Sequence, residues 1–237
     1  MSEAAPNASS ATARGVFVTG TDTAVGKTRV ACALLRAYAD SGQRVLGMKP
    51  VAAGAERWPA GFRNEDVEML RAASSVSVPR ELTNPYCFEP AIAPHLAASE
   101  AGVEIELTRI VDAYAHMCRL ADRIVVEGAG GFLVPIGSGL SMADLARALG
   151  LPIVLVVGMR LGCLNHAMLT CESIERHGLR LAGWVANCVD PKMQRLDDNV
   201  FALCERITAP LLAVSGYDPA PGSVPLFDAA KLVDLHA

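Results

Sequence analysis

No Cys-x-x-Cys pair occurs in this sequence, and its seven cysteines (Cys32, Cys87, Cys118, Cys163, Cys171, Cys188 and Cys204) are odd in number and scattered. That pattern excludes a disulfide framework and reads as reduced thiols in a cytoplasmic protein. A basic excess is missing too. Lys and Arg total 21 against 25 Asp and Glu, a formal charge of −4, which argues against a binder of nucleic acid or of an anionic membrane. No apolar run approaches the roughly eighteen residues of a membrane span. The opening MSEAAPNASSATARG is small and polar, without a signal-peptide core. No linker rich in Ser, Gly or Pro divides the chain, and no internal repeat is present. What the chain does have is apolar material for one sizeable core, with 51% of residues hydrophobic and 19% charged. The expectation is a loose tail over residues 1–14 and a single domain over residues 15–237.

Short β-branched runs alternate with longer amphipathic segments, which predicts an α/β fold: a parallel sheet with helices on both faces. Strands are expected at Gly15–Gly20, Arg44–Met48, Arg123–Glu127, Ile153–Val157, Leu181–Ala186 and Leu211–Val214. Helices are expected near Lys27–Ser41, Glu65–Ala73, Leu107–Leu120, Met142–Leu149, Leu164–His177 and Leu196–Arg206. Gly42 and Gly178 stand where left-handed C-caps belong. The stretch from Val51 to about Ala98 is the least regular, and its WPAGF and NPYCFEPAIAPH segments suggest loops over one end of the sheet.

Ligands of open α/β sheets sit beyond the carboxyl ends of the strands, so the residues found there carry the functional information. The first strand runs into 19-TGTDTAVGKTR-29 and then directly into a helix, the context that a phosphate loop requires. Gly26-Lys27-Thr28 match the usual loop, but the earlier glycine is Gly20, one position too far back, with Thr21 in its place. Backbone N–H groups here would hold phosphate oxygens, Lys27 would add a point charge, and the Thr28 hydroxyl is placed to ligate Mg²⁺. The second strand ends in Lys49-Pro50. That lysine either reaches the phosphates or, taken alone, snorkels to solvent. Glu127 closes an apolar strand beside the loop, where a metal-associated carboxylate belongs, and Gly128 and Gly130 after it allow close backbone approach. Asp66 in 63-RNED-66 is either a second carboxylate or an acid favoured at a helix start. Asn187 and Asp190 have the spacing of a base-reading pair, though Cys188 replaces the usual lysine. Cys163 and His166 lie one turn apart, with no second pair to complete a zinc site. Gly162, Cys163 and Asn165 instead open a helix whose N-terminus suits an anion.

Together these segments resemble one family, the ATP-dependent dethiobiotin synthetases. The resemblance runs through 18-VTGTDTAVGKT-28, 48-MKPVAAG-54, the Asn64/Asp66 segment, 84-NPYCFEPAIAPHLAA-98, 126-VEGAGGFLVP-135, 161-LGCLNHAMLT-170 and 183-GWVAN-187. The unusual loop then looks like that family's own variant. The resemblance implies an enzyme that takes 7,8-diaminononanoate, CO₂ and Mg-ATP to dethiobiotin through a carbamate and a carbamic–phosphoric mixed anhydride. It implies that Thr23, Lys27 and Lys49 contact phosphate and carbamate oxygens, and that Thr28, Asp66 and Glu127 surround Mg²⁺. Nucleotide contacts would come from Thr21, Asp22, Thr23, Ala24, Val25, Gly26, Lys27, Thr28, Glu127 and Gly130, with Asn187 at the adenine. The diaminononanoate would meet Lys49, Ala53, Gly130 and, from a partner subunit of a homodimer, the helix start Gly162, Cys163, Leu164 and Asn165.

Three positions depart from the family pattern. Ala24 stands where some members carry glutamate, Ala53 replaces a serine, and Ala213-Val214-Ser215-Gly216 follows Leu212 where Gly-x-Ile/Val-Pro is common. Two other readings share the loop and fold. An amide-forming synthetase of the cobyrinate type would carry a glutaminase domain, for which 237 residues leave no room. A positioning or partition ATPase would add a second lysine in the loop, and Thr21–Val25 contains none.

Overall fold

The computed structural model describes residues 15–59, 61–217 and 235. The expected tail over residues 1–14 lies outside the described residues, as does most of the chain after residue 217. Six parallel strands form the central sheet: β1 (Gly15–Gly20), β2 (Val45–Met48), β3 (Arg123–Glu127), β4 (Ile153–Met159), β5 (Leu181–Cys188) and β6 (Leu211–Ser215). Their spatial order is β6-β5-β4-β1-β3-β2. Every residue of β1 and β4 is buried, as expected for strands covered on both faces.

Eight helices complete the described residues: α1 (Lys27–Asp40), α2 (Glu65–Ala73), α3 (Arg80–Thr83), α4 (Pro94–Glu100), α5 (Leu107–Met117), α6 (Met142–Leu149), α7 (Cys163–Arg176) and α8 (Leu196–Cys204). Strand alternation assigns them to faces. Val16 and Val18 pack with Val30, Leu34 and Leu35 of α1 and Leu70 of α2, whereas Phe17 points the other way, toward Ile110 and Met117 of α5 and Leu145 of α6. The buried positions of α1 recur at helical spacing (Val30, Ala31, Leu34, Leu35, Tyr38), which is why this segment coils with one face on the sheet. A third cluster joins Leu155 and Val157 of β4 to Ala167 of α7 and Leu203 of α8.

The strand and helix assignments stand, with adjustments at their ends. Strands β4 and β5 run two residues further than expected, and α5 and α8 stop short, their last residues continuing as turns. Gly42 and Gly178 do adopt left-handed φ of 84° and 69° just after α1 and α7. The irregular stretch holds more order than its composition suggested. Val51–Ala52 pairs in parallel with Tyr86–Cys87, Glu56–Trp58 pairs antiparallel with Gly61–Arg63, and α3 and α4 fall within it.

This stretch also covers the sheet edge at β2. The outward N–H groups of Val45 and Gly47 donate to the hydroxyls of Ser75 and Ser74, at 2.8 and 2.9 Å. An edge strand would otherwise offer those groups to another chain.

Candidate active site

Neighbouring strands in register bring their carboxyl ends to one rim: Val18 lies beside Glu127, Met48 beside Val126, and Gly20 beside Val156. Above that rim opens a cleft of about 740 Å³. Its lining includes Thr23, Gly26, Lys27, Thr28, Lys49, Ala53, Asp66, Glu127 and Gly130, so residues from four separate segments meet as the sequence reading required.

The loop between β1 and α1 turns through left-handed backbone at Ala24 (φ 57°) and Gly26 (φ 93°). The second suits glycine. The first is uncommon for alanine and marks a loop held by its surroundings. Lys27 folds back so that its Nζ donates to the Asp22 carbonyl at 2.9 Å. Burial lowers its pKa to about 8, with repulsion from Lys49 acting in the same direction.

Lys49 lies between two carboxylates. Its Nζ donates to Glu127 Oε1 at 2.5 Å and to Asp66 Oδ2 at 2.8 Å. Burial works against the ammonium, but attraction from Glu127 and Asp66 outweighs it and the lysine pKa is raised. Glu127 is fully buried, and desolvation pushes its carboxyl pKa up despite the lysine. Burial also acts upward on Asp66, but the charge and hydrogen bond of Lys49, with Thr28 and Lys27, bring its pKa down. Two carboxyls of one trio are thus driven in opposite directions. Asp66 is the stronger acid because it opens α2 toward solvent, and Glu127 is walled in at the end of β3.

Thr28 Oγ1 lies 2.8 Å from Asp66 Oδ1 and 2.9 Å from Glu127 Oε1. A hydroxyl has one proton, so it satisfies one of these oxygens at a time. Glu127 Oε2 is buried with no hydrogen-bond partner. Carboxylate oxygens converging with a hydroxyl, one of them orphaned, fit a hard cation that takes its remaining ligands from water and phosphate. Among the described residues there is no cluster of three or more His, Cys, Asp or Glu able to hold a metal unaided.

Asn187 falls within β5, where the sequence placed it just beyond the strand. Its Nδ2 donates to Val25 O at 2.8 Å, and its Oδ1 is buried without a partner. The asparagine therefore lies behind the phosphate loop, outside the cleft lining, as does the buried Val25. Thr21, Asp22 and Thr23 line a second hollow of about 400 Å³ together with Leu133 and with Leu169, Thr170 and Ser173 of α7.

The start of α7 keeps its expected form, with Gly162 at φ 96° as the N-cap. Within one chain, however, Gly162, Cys163, Leu164 and Asn165 line neither cavity. Cys163 is buried, while Leu161 two residues before it is 98% exposed.

Several contributors had not been singled out in the sequence. Arg160, one residue past β4, pairs with Asp22 at 2.5 Å and ties the loop to the neighbouring strand end. Ala91, Ile92, Ala93 and Pro94 form one wall of the cleft, with Met69 and Val134. The motif 84-NPYCFEPAIAPHLAA-98 carries that wall, in keeping with the loop expected over one end of the sheet, although composition alone did not single out these four residues as cleft lining.

A family model described as an AAA domain (AAA_26) matches residues 14–220. The chain is 56% identical over 212 residues to the ATP-dependent dethiobiotin synthetase BioD of Aromatoleum aromaticum, covering 87% of this chain and 94% of that protein. It is 53% identical over 205 residues to the protein of the same name from Ralstonia nicotianae, covering 86% and 90%. Among solved structures, the MinC:MinD cell division protein complex of Aquifex aeolicus aligns with a TM-score of 0.52 at 18% identity, over 87% of this chain and 83% of that one. The signal recognition particle receptor FtsY of Elizabethkingia anophelis aligns with a TM-score of 0.52 at 14% identity, over 98% and 67%. The likeness to these two is one of fold alone, and it agrees with the P-loop α/β architecture.

Proposed function

The chain belongs to the ATP-dependent dethiobiotin synthetases, enzymes of biotin biosynthesis, and from that premise we propose how its own residues carry the reaction. The observation that carries the proposal is the meeting of Lys27, Lys49, Thr28, Asp66 and Glu127 in one cleft. Phosphoryl transfer to a weak oxygen nucleophile needs positioning and charge neutralisation more than a strong base.

The loop N–H groups and Lys27 hold the β- and γ-phosphates. Thr28, Asp66 and Glu127 would hold Mg²⁺, which when bound neutralises charge on those phosphates. Lys49 faces the carbamate formed from CO₂ and one amine of 7,8-diaminononanoate, and Thr23 and Gly130 border the same space. A carbamate oxygen attacks the γ-phosphorus and ADP leaves. The second amine then closes on the carbonyl of the mixed anhydride, releasing phosphate with the cyclic urea. Ala53 lines the substrate end without a hydroxyl. Asn187 Oδ1, lacking a partner, is the acceptor offered to an adenine amine.

The functional unit is a homodimer in which the helix start Gly162–Asn165 of one subunit holds the substrate carboxylate bound to the other. Support comes from the placement of that helix start outside both cavities of its own chain, from exposed Leu133 and Leu169 lining the second hollow, and from exposed Leu161 beside the helix start. The protein acts in the cytoplasm, in keeping with the odd number and scatter of its cysteines. Among the described residues no helix is long and apolar enough to cross a membrane.

A positioning ATPase shares the fold but would hydrolyse ATP alone. Here, ATP turnover is expected to require diaminononanoate and CO₂ together. Bicarbonate labelled with heavy carbon and oxygen should place its carbon in the urea carbonyl and one oxygen in the released phosphate. Dethiobiotin formed without label in phosphate would rule out the mixed anhydride.

A further inference from the structure

The backbone around Lys49 is held from outside the sheet. Lys49 follows the last residue of β2, and Pro50 after it has no N–H, so the strand ladder cannot continue there. The Lys49 N–H instead donates to Thr83 O at 2.8 Å. Its carbonyl accepts from Asn84 Nδ2 at 2.7 Å, and the same amide donates to Tyr86 O at 2.9 Å. Asn84 is buried and its Oδ1 has no partner, so both of its donors are spent on this one bend of chain. A side chain with two donors on one nitrogen is required to bridge both carbonyls, and a hydroxyl supplies only one.

The segment bearing Asn84 is in turn tied to α2. Arg71 Nη1 donates to Val78 O at 3.0 Å and to Thr83 Oγ1 at 3.2 Å. The same helix carries Asp66, which accepts from Lys49 Nζ. The ring therefore closes on itself: α2 to Thr83–Asn84, to the Lys49 backbone, to the Lys49 ammonium, and back to α2. The ion pairs fix only the charged end of a flexible four-carbon stem, whereas the clamp at Thr83 and Asn84 fixes its root.

We propose that Asn84, backed by Thr83 and Arg71, is a positioning residue that aims Lys49 at the reacting oxygens. This rests on the catalytic reading of Lys49 given above. Misplacing a catalytic group by about 1 Å costs up to about a hundredfold in rate.

The test compares dethiobiotin formation by wild type, Asn84→Ala, Lys49→Ala and the double variant, each checked for fold by circular dichroism. Asn84→Ala is expected to lower kcat roughly tenfold with KM for ATP within about twofold, the signature of a lost transition-state contact. On the Lys49→Ala background the same change is expected to alter kcat by less than about twofold, because the group it positions is gone. Equal losses on both backgrounds, or a rise in KM alone, would overturn the proposal and leave the Lys49 reading intact. Near-normal kcat in Lys49→Ala would instead overturn the Lys49 reading. If Asn84→Ala fails to accumulate folded, Arg71→Gln carries the comparison: a loss confined to the Lys49 background supports positioning, and an equal loss in both overturns it.

Discussion

A Cβ added to Gly26 would lie 2.3 Å from the amide nitrogen of Asn187. The phosphate loop is thus pressed against β5, and the asparagine that pairs with Val25 O occupies the space beside the glycine. Gly26→Ala meets two obstacles, this contact and a φ of 93°. It is expected to abolish measurable binding of a fluorescent ATP analogue and to lower the melting temperature by several degrees, at roughly 2–4 °C per kcal/mol for a chain of this size. Adding Asn187→Ala should recover part of the stability and none of the binding. Full analogue binding by Gly26→Ala would show that the loop relaxes elsewhere.

Burial lowers the Lys27 pKa to about 8 when no phosphate is present. Phosphate charge raises it again, so ATP binding near pH 8.5, roughly, should draw a proton onto the protein. Titration calorimetry in two buffers of different ionisation heat is expected to show that uptake, and Lys27→Ala should lose it. For stability the sign follows from the depressed pKa. The unfolded chain holds the proton more tightly between about pH 8 and the ordinary lysine value, so Lys27 costs least in the folded state above that window and its contribution improves as pH rises through it.

Lys27→Ala and Lys49→Ala are each expected to lower turnover about a hundredfold or more, roughly 3 kcal/mol of transition-state stabilisation. Lys49→Ala also leaves Glu127 buried without its cation. A carboxyl whose folded pKa is raised contributes stability at low pH that is lost as pH rises through that pKa. The melting temperature of Lys49→Ala should therefore fall further below that of wild type over the pH range above the ordinary glutamate value. A constant difference across that range would remove Glu127 as the cause.

In the proposed scheme Asp66 and Glu127 hold the metal and abstract no proton. Asp66→Asn and Glu127→Gln should each raise the Mg²⁺ concentration needed for half-maximal rate, by about tenfold or more for a lost charged ligand. A lowered rate with an unchanged Mg²⁺ requirement would take that residue out of the metal site.

Composite sites across a dimer predict complementation. A preparation of Lys27→Ala mixed with a variant blocked at Asn165 should regain part of the activity lost by each, because hybrid dimers hold one intact site. Light scattering of the wild type is expected to give twice the chain mass. A fully active monomer would end the shared-site reading.

Much of this molecule was legible along the chain because the signals are local. Alternation, helical spacing and the Gly26-Lys27-Thr28 turn act over a few residues, and β1, α2 and α6 have the bounds expected of them. Asp66 shows the limit of that reading. From its neighbours it was an acid favoured at a helix start, and in the fold it is that and also a partner of Lys49, 17 residues away. Lys49 reads alone as a snorkelling lysine, but Glu127, 78 residues on, holds it inside. Asn84 and Arg160 gave no local sign of their roles, because their partners become neighbours only when β2, β1 and β4 take their places in the sheet. The sequence by itself determined which segments form strands, helices and a phosphate loop, through backbone preference and periodic burial. Only tertiary packing decided the strand order, and with it which charges share a dry site, because electrostatic partners are set by distance in space and not by distance along the chain.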